Sequence, residues 1–352
     1  MNRNKVFSLV TMLILLVASA CSAPNLQVPP ATPTPAITPS PTTSPTLPSD
    51  IPAFEQSLIV SFAQEYGLDP ASIQLVSSEK LNWPDGCMGV VRVGYLCTMM
   101  IVPGYRVVLD VKGLKVELHT NESGSTVLLA PLSSAELQML WMDWISNQTP
   151  CQESHFSDQT FNTGSCAQAL SSVSPLSDLR KTQQLDWNRI YTGFVADTKA
   201  GMLAFYGQGN ETAPASVQRA IAEWANVVTQ ETLSGTSGTS LGLVLKWSRV
   251  GGIAGFCNNL GVYSSGEVSA SSCISSATPF LSMLDSAHLD QLYTWLDAYQ
   301  STQIKQTDHA TADSMTIELT FAGRGTQVMP DDVKLQVLSF ASETYMSATK
   351  QK

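Results

Sequence analysis

The sequence predicts an α+β protein made of three small disulfide-stapled modules, carried behind a signal peptide and a proline–threonine stalk. Three observations carry this reading. Six cysteines fall into three local pairs. Strand-like alternation and helical stripes succeed one another from residue 51 onward. Landmarks of residues 131–234 recur in the same order in residues 241–352, which reads as an internal duplication and not a solenoid.

Composition sets the bounds. The chain has 352 residues, of which 43% are hydrophobic, so globular cores can form. Only 14% are charged, and Ser, Thr, Gly, Asn and Gln fill the gap, as suits an extracytoplasmic surface. Net charge is −10, and setting aside Arg3 and Lys5 leaves 17 basic against 29 acidic residues. Nucleic acid is excluded as a partner, because phosphate binding needs a clustered basic face and none is visible.

Arg3 and Lys5 precede a nearly unbroken apolar run, Val6 to Val17, and then Ala18-Ser19-Ala20-Cys21. Residues 1–20 have the layout of a signal peptide with a cleavage site. The run is shorter than the ~18–20 residues that span a bilayer. The segment resembles the bacterial lipobox, with Ala18 in place of the usual leucine. That resemblance implies that Cys21 is acylated, becomes the new N-terminus and anchors the protein to the cell envelope, outside the cytoplasm. Each buried methylene of such a chain contributes about 0.8 kcal/mol. An ordinary cleaved signal is the alternative. Residues 22–49 hold nine prolines and six threonines and no charge. Such a segment cannot bury a core, and residues 21–50 read as a stalk reaching up to roughly 90 Å in polyproline II geometry.

Assigning Cys21 to lipid leaves Cys87/Cys97, Cys151/Cys166 and Cys257/Cys273 as local pairs. Disulfides persist outside the cytoplasm, and a closed loop of ~15 residues stabilises by about 3 kcal/mol. Locality argues for these pairs among the possible connectivities without proving them. No metal or cofactor site is read: there is no CxxC, and His119, His155, His288 and His309 are scattered.

Residues 51–130 form the first module. Asp50 is placed to cap a helix carrying Phe54, Leu58, Phe62 and Tyr66 and ended by Gly67. Strand-like runs follow at Ile73–Ser77, Thr98–Val102, Tyr105–Val111, Leu114–His119 and Thr126–Leu129, with Lys112-Gly113 as a hairpin turn. The sequence Trp83-Pro84-Asp85-Gly86-Cys87-Met88-Gly89, with Cys97 and Pro103-Gly104-Tyr105, resembles a module of secreted bacterial proteins of unassigned function. In topology alone the segment is loosely similar to PepSY domains.

The repeat rests on five matches. Leu137, Trp141 and Cys151 answer to Leu243, Trp247 and Cys257; Cys166 to Cys273; Leu185-Asp186 to Leu289-Asp290; Phe205, Gly207 and Gly209 to Phe321, Gly323 and Gly325; and Trp224-Ala225 to Phe340-Ala341. Each copy, 131–234 and 241–352, reads as strand, cysteine loop, strand pair, helix, strand, glycine turn and helix, and Gly235–Ser240 links them. In the second copy Ser264-Ser265-Gly266 reads as a hairpin turn with Gly266 at positive φ.

No HExxH, G-x-S-x-G or P-loop motif occurs. A dispersed Ser–His–Asp set is not excluded by sequence, but the non-enzyme reading is favoured. Asp85 reads as a turn residue, and Asp308-His309 as a solvated loop. The segment Leu243–Gly255, with Arg249-Val250-Gly251-Gly252-Ile253-Ala254-Gly255 at its end, resembles emfourin-type inhibitors of thermolysin-like metalloproteases. Ile253 stands where that family has an aromatic, and the Cys257/Cys273 pair is additional. The resemblance covers residues 241–346, including Leu289–Tyr299, Asp313 with Thr316–Phe321, and Met329-Pro330-Asp331. It implies a partner-binding loop at Gly251, Gly252, Ile253, Ala254, Gly255 and Phe256, with a secreted metalloprotease or another envelope protein as partner. Copy one has Ile145–Pro150 in place of the glycines. The alternatives are a structural or ligand-sensing envelope lipoprotein, and an extracytoplasmic hydrolase.

Overall fold

The computed structural model describes residues 51–350 apart from 91, 93, 133–139, 158–160, 167–170, 174–185, 236–240, 275–278 and 309–313. The expected signal peptide and stalk with Cys21 and Asp50, residues 236–240 of the expected linker, Leu137, Leu185, His309 and Asp313 lie outside the described residues. The architecture is mixed α+β, mostly antiparallel sheet with few helices. Disulfides join Cys87 to Cys97, Cys151 to Cys166 and Cys257 to Cys273.

Helix α1 (Ala53–Tyr66) buries Leu58, Ile59 and Phe62, and Gly67 ends it at φ 65°, in the left-handed region glycine favours. Its first residue follows Pro52, which provides no side-chain cap; Gln56 Nε2 instead donates to the Ile51 carbonyl at 2.7 Å. A single 3₁₀ turn, Pro70–Ser72, leads into the meander β1 (Ile73–Trp83), β2 (Val102–Val111), β3 (Leu114–Asn121) and β4 (Val127–Ala130). Lys112 and Gly113 both take positive φ, the geometry whose twist suits a two-residue hairpin.

One expected strand is absent. Thr98–Ile101 are exposed and precede β2, which starts at Val102 opposite Trp83, the last residue of β1. With β1 ended there, residues 98–101 have no neighbour to pair with; Thr98 O instead accepts from Gly86 N at 2.8 Å and closes the cysteine loop.

Two six-stranded antiparallel sheets follow. The first comprises β5 (Leu140–Ser146), β6 (Gln152–Ser157), β7 (Phe161–Ser165), β8 (Ser171–Val173), β9 (Thr192–Asp197) and β10 (Gly201–Gln208), in the order β8-β7-β6-β5-β10-β9. The second comprises β11 (Leu243–Gly251), β12 (Phe256–Tyr263), β13 (Glu267–Ser272), β14 (Phe280–Met283), β15 (Gln300–Asp308) and β16 (Met315–Arg324), in the order β14-β13-β12-β11-β16-β15. Helices α2 (Trp187–Ile190) and α3 (Ala215–Leu233) accompany the first sheet, and α4 (Ser286–Ala298) and α5 (Asp331–Lys350) the second. Gly266 sits at φ 84° in the β12–β13 turn, as the Ser-Ser-Gly signal predicts.

Three parts of the sequence reading need correction. The edge strands β8, β9, β14 and β15 carry no strong apolar alternation and were not among the expected elements. Asp308 ends β15 and does not lie in a loop. The pairing of the two sheets also differs from the spacing the sequence suggested: β10 sets Phe205 opposite Met142, and β16 sets Phe321 opposite Leu245. Trp144, and not Trp141, therefore holds the strand position in the first sheet that Trp247 holds in the second, and the connection to the following cysteine is shorter in the first.

Among the described residues the core has three clusters. Leu58, Phe62, Val107, Leu109, Val116 and Leu118 build one with Ile145, Met202 and Tyr206 of the first six-stranded sheet. Trp144, Phe156, Phe205, Trp224 and Val228 build the second. Leu245, Trp247, Val262, Leu292, Phe321 and Val337 build the third, which also takes Ala220 and Val227 from α3. Helix α3 thus serves two cores, and every residue from Ala220 to Thr229 is buried. A helix apolar on one face would need only one such partner.

Candidate functional site

The glycine loop is a hairpin connection. Gly251 pairs with Phe256 across β11 and β12, and Gly255 N donates to Gly252 O at 2.8 Å to close the turn. Gly251, Gly252 and Gly255 all have positive φ, at 93°, 74° and 62°. At Gly251 a Cβ would also lie 2.3 Å from Ser314 O, so this position admits only glycine. Its role is architectural: it lets β11 pass close to the start of β16. Gly255 has open space around it. Ile253 stands 86% exposed at the tip, with Ala254 beside it. Behind them the Arg249 guanidinium lies 3.8 Å from the centroid of the Phe256 ring, a cation–π contact. Cys257 follows directly and ties β12 to the end of β13, where Cys273 N donates to Cys257 O at 2.8 Å. The tip is apolar, exposed and braced on both strands.

In the first six-stranded sheet the corresponding connection runs through Asn147–Pro150. It is held down by Asn147, whose N donates to Ala200 O at 3.1 Å and whose Nδ2 donates to Thr198 O at 2.9 Å. It offers polar side chains and no glycine tip.

Among the described residues, His155 and His119 each sit within a largely buried acid–histidine group. His155 Nδ1 is 2.5 Å from Asp143 Oδ1, and Tyr206 donates to Asp143 Oδ2 at 2.7 Å. His155 Nε2 lies 3.3 Å from Glu153 Oε1. Burial disfavours the charged imidazole, but the hydrogen bonds and attraction of Asp143 and Glu153 outweigh it and push the His155 pKa up to about 10. At neutral pH this is an ion pair, not a free base. In the first module His119 is held by Met88 O at 2.6 Å and by Glu117 Oε1 at 2.7 Å, and stacks on Trp83 at 4.0 Å. Neither group is announced by a recognised motif. The signal available was Glu-x-His, at Glu117/His119 and Glu153/His155, because alternate strand residues share a face. His288 is half-buried and bonds Asp285 Oδ1 at 2.8 Å, where Asp285 also caps α4 by accepting from His288 N. That backbone bond is the main cause holding the Asp285 carboxyl below its ordinary range.

Asp85 acts as the turn residue it was read to be: Oδ1 accepts from Cys87 N at 2.8 Å and from Gly89 N at 3.2 Å. Its carboxylate and the sulfurs of Cys87 and Cys97 lie within 4.8 Å of one another. Those sulfurs are bonded together, so they offer no thiolate to a metal.

Residues 56–129 match the model of a domain of unknown function, DUF8738. The match runs from within α1 to β4 and takes in the stapled loop. No curated protein and no solved structure matches the chain.

Glu267 yields a first prediction. Its carboxyl is buried, and neither oxygen has a hydrogen-bond partner among the described residues. Burial pushes its pKa from 4.5 to about 8. Between those values the folded chain binds more protons than the unfolded one, so stability falls as pH rises through that window. Glu267→Gln removes this slope and gains on the order of 3 kcal/mol at pH 8 and above. Urea denaturation at a series of pH values checks it; an unchanged slope in the variant refutes the assignment.

Proposed function

We propose that the chain is an extracytoplasmic lipoprotein of the bacterial cell envelope, anchored through acylated Cys21, that binds a protein partner without catalysing a reaction. The observation that carries the binding role is the exposed Ile253 tip on its glycine-shaped, disulfide-braced hairpin. A rigid apolar tip loses little entropy on docking, and a buried aliphatic anchor supplies the binding energy. Disulfides in all three sheet-bearing segments suit an oxidising compartment. The emfourin-like order of elements in residues 241–346 makes a thermolysin-like metalloprotease the first partner to test.

The two six-stranded parts are proposed to be a duplicated unit. Their strand orders agree, and each has a disulfide from the start of its second strand (Cys151 just before it, Cys257 just inside it) to just past its third. The glycines agree too: a Cβ at Gly207 or Gly323 would collide with the carbonyl of Tyr191 or Tyr299, and one at Gly209 or Gly325 with that of Ile190 or Ala298. On this reading the second copy holds the active loop, and the first lends its helix α3 to the shared core.

The native chain is expected to slow peptide hydrolysis by a thermolysin-like protease, and Ile253→Asp to weaken this roughly tenfold or more. Absence of inhibition at micromolar protein defeats the inhibitor reading. A pull-down from native envelope in which Ile253→Asp captures the same partners as the native chain defeats the loop itself.

A further inference from the structure

The stapled loop between β1 and β2 presents Tyr95, Leu96, Met99, Met100 and Ile101 to solvent, with Leu96 99% and Met99 95% exposed. A run of five large apolar side chains so displayed on a soluble surface marks a contact site. The loop is not free to fold them away. The Cys87–Cys97 bond closes it, Gly86 N bonds Thr98 O, Asp85 holds two amides, and Met88 fills the space beneath.

Two further observations say what covers the patch. From Gly86 to Leu109 there is no acidic residue, although the chain carries a net charge of −10. Of the basic side chains in that stretch, Arg106 is paired with Glu79 and Glu117, at 3.3 and 3.6 Å, and Arg92 lies beside the loop, its guanidinium 5.5 Å from the Tyr95 ring. Second, the chain enters this module at the same end of the sheet. Phe54, in the first turn of α1, packs on Tyr105 at 4.6 Å and against Gly124. Tyr105 lies four residues beyond Ile101, about 13 Å along a strand. The end of the module that receives the stalk is therefore the end that displays the apolar loop.

We propose that Tyr95–Ile101 is a membrane-docking loop, seated in the headgroup region of the bilayer that holds the lipid on Cys21. The proposal rests on the anchorage reading. Aliphatic and thioether side chains enter about 5–10 Å, the depth typical of interfacial elements, while Tyr95 and Arg92 stay at headgroup level. An acid-free loop meets an anionic surface without the repulsion the rest of the chain would bring. Tethering makes this second contact intramolecular, so a gain too small to bind free protein suffices. The stalk then acts as slack, and the first module rests on the membrane in a fixed orientation.

The test uses the full acylated chain reconstituted in vesicles of phosphatidylethanolamine and phosphatidylglycerol, with plain or brominated acyl chains. Leu96→Trp places a reporter in the loop and Ile253→Trp serves as the control, with the native chain as background. Expected are a blue-shifted emission and a bromolipid-dependent loss of intensity for Leu96→Trp and neither for Ile253→Trp. Adding Met99→Asp abolishes both effects. Equal emission in the two lipids from a chain that floats with the vesicles overturns docking alone. Shielding from acrylamide without bromolipid quenching means that a second copy or another protein covers the patch, and also overturns it. An unmodified Cys21 by intact mass overturns the anchorage, and the proposal with it.

Discussion

Asp143→Asn is expected to destabilise the protein by about 3–5 kcal/mol at pH 6, the range for breaking one side of a buried ion pair. Asp143 is 1% exposed and serves two partners, the His155 imidazole and the Tyr206 hydroxyl. The asparagine keeps one acceptor oxygen, so one of the two is left short, and the imidazolium retains only Glu153. The pH dependence separates this from a simple packing loss. The pKa of His155 stands near 10 in the folded chain against 6.5 as its ordinary value. The folded state therefore binds more protons between those limits, and the pair's contribution, complete below pH 6.5, is lost as pH rises through about 10. The variant should lose most of that slope. Urea midpoints measured from pH 6 to 10 decide it. A variant with native stability at pH 6, or with an undiminished slope, sinks the account.

What the sequence made legible follows from local chemistry. Gly67, Lys112-Gly113 and Ser264-Ser265-Gly266 punctuate the chain through backbone preference alone, and each lies where that preference places it. The cysteine pairs were legible because short loops close easily. Edge strands were not. β15 reads Gln-Ser-Thr-Gln-Ile-Lys-Gln-Thr-Asp, and Ile304 is its one buried apolar side chain, so pairing with β16 makes it a strand and not its own pattern. Thr98–Ile101 erred the other way, since β-prone apolar residues form no strand where the ladder has ended. Helix α3 showed a stripe, but its burial on all sides depends on a second core supplied from residues beyond 240. Within the candidate loop the glycines were visible. That Gly251 is fixed by the approach of Ser314, leaving Ile253 exposed at the tip, required the third strand.

The other large effect concerns that shared helix. Glu223 is 5% exposed in α3, and Arg324 at the end of β16 reaches it at 2.7 Å. The same guanidinium meets Asp297 of α4 at 3.2 Å, and Asp297 in turn lies 3.6 Å from Arg219, whose guanidinium covers the Tyr293 ring at 4.6 Å. This network crosses from α3 to the second six-stranded unit, where only Ala220 and Val227 of that helix enter the third core. Arg324→Met is expected to cost about 3 kcal/mol, because Glu223 is then buried without its cation. Glu223→Leu combined with Arg324→Met should recover much of that loss, giving a coupling of at least about 1 kcal/mol. Lys305→Ala is the contrast: its pair with Glu318 is exposed on both sides, and its loss should stay within about 0.5 kcal/mol. Because the network joins two cores through one helix, Arg324→Met should also uncouple them, splitting a single thermal transition into two. Calorimetry of these three variants and of Glu223→Leu alone checks both parts. A single sharp transition at the native midpoint in Arg324→Met would mean that apolar packing around α3 joins the units without help from the charges.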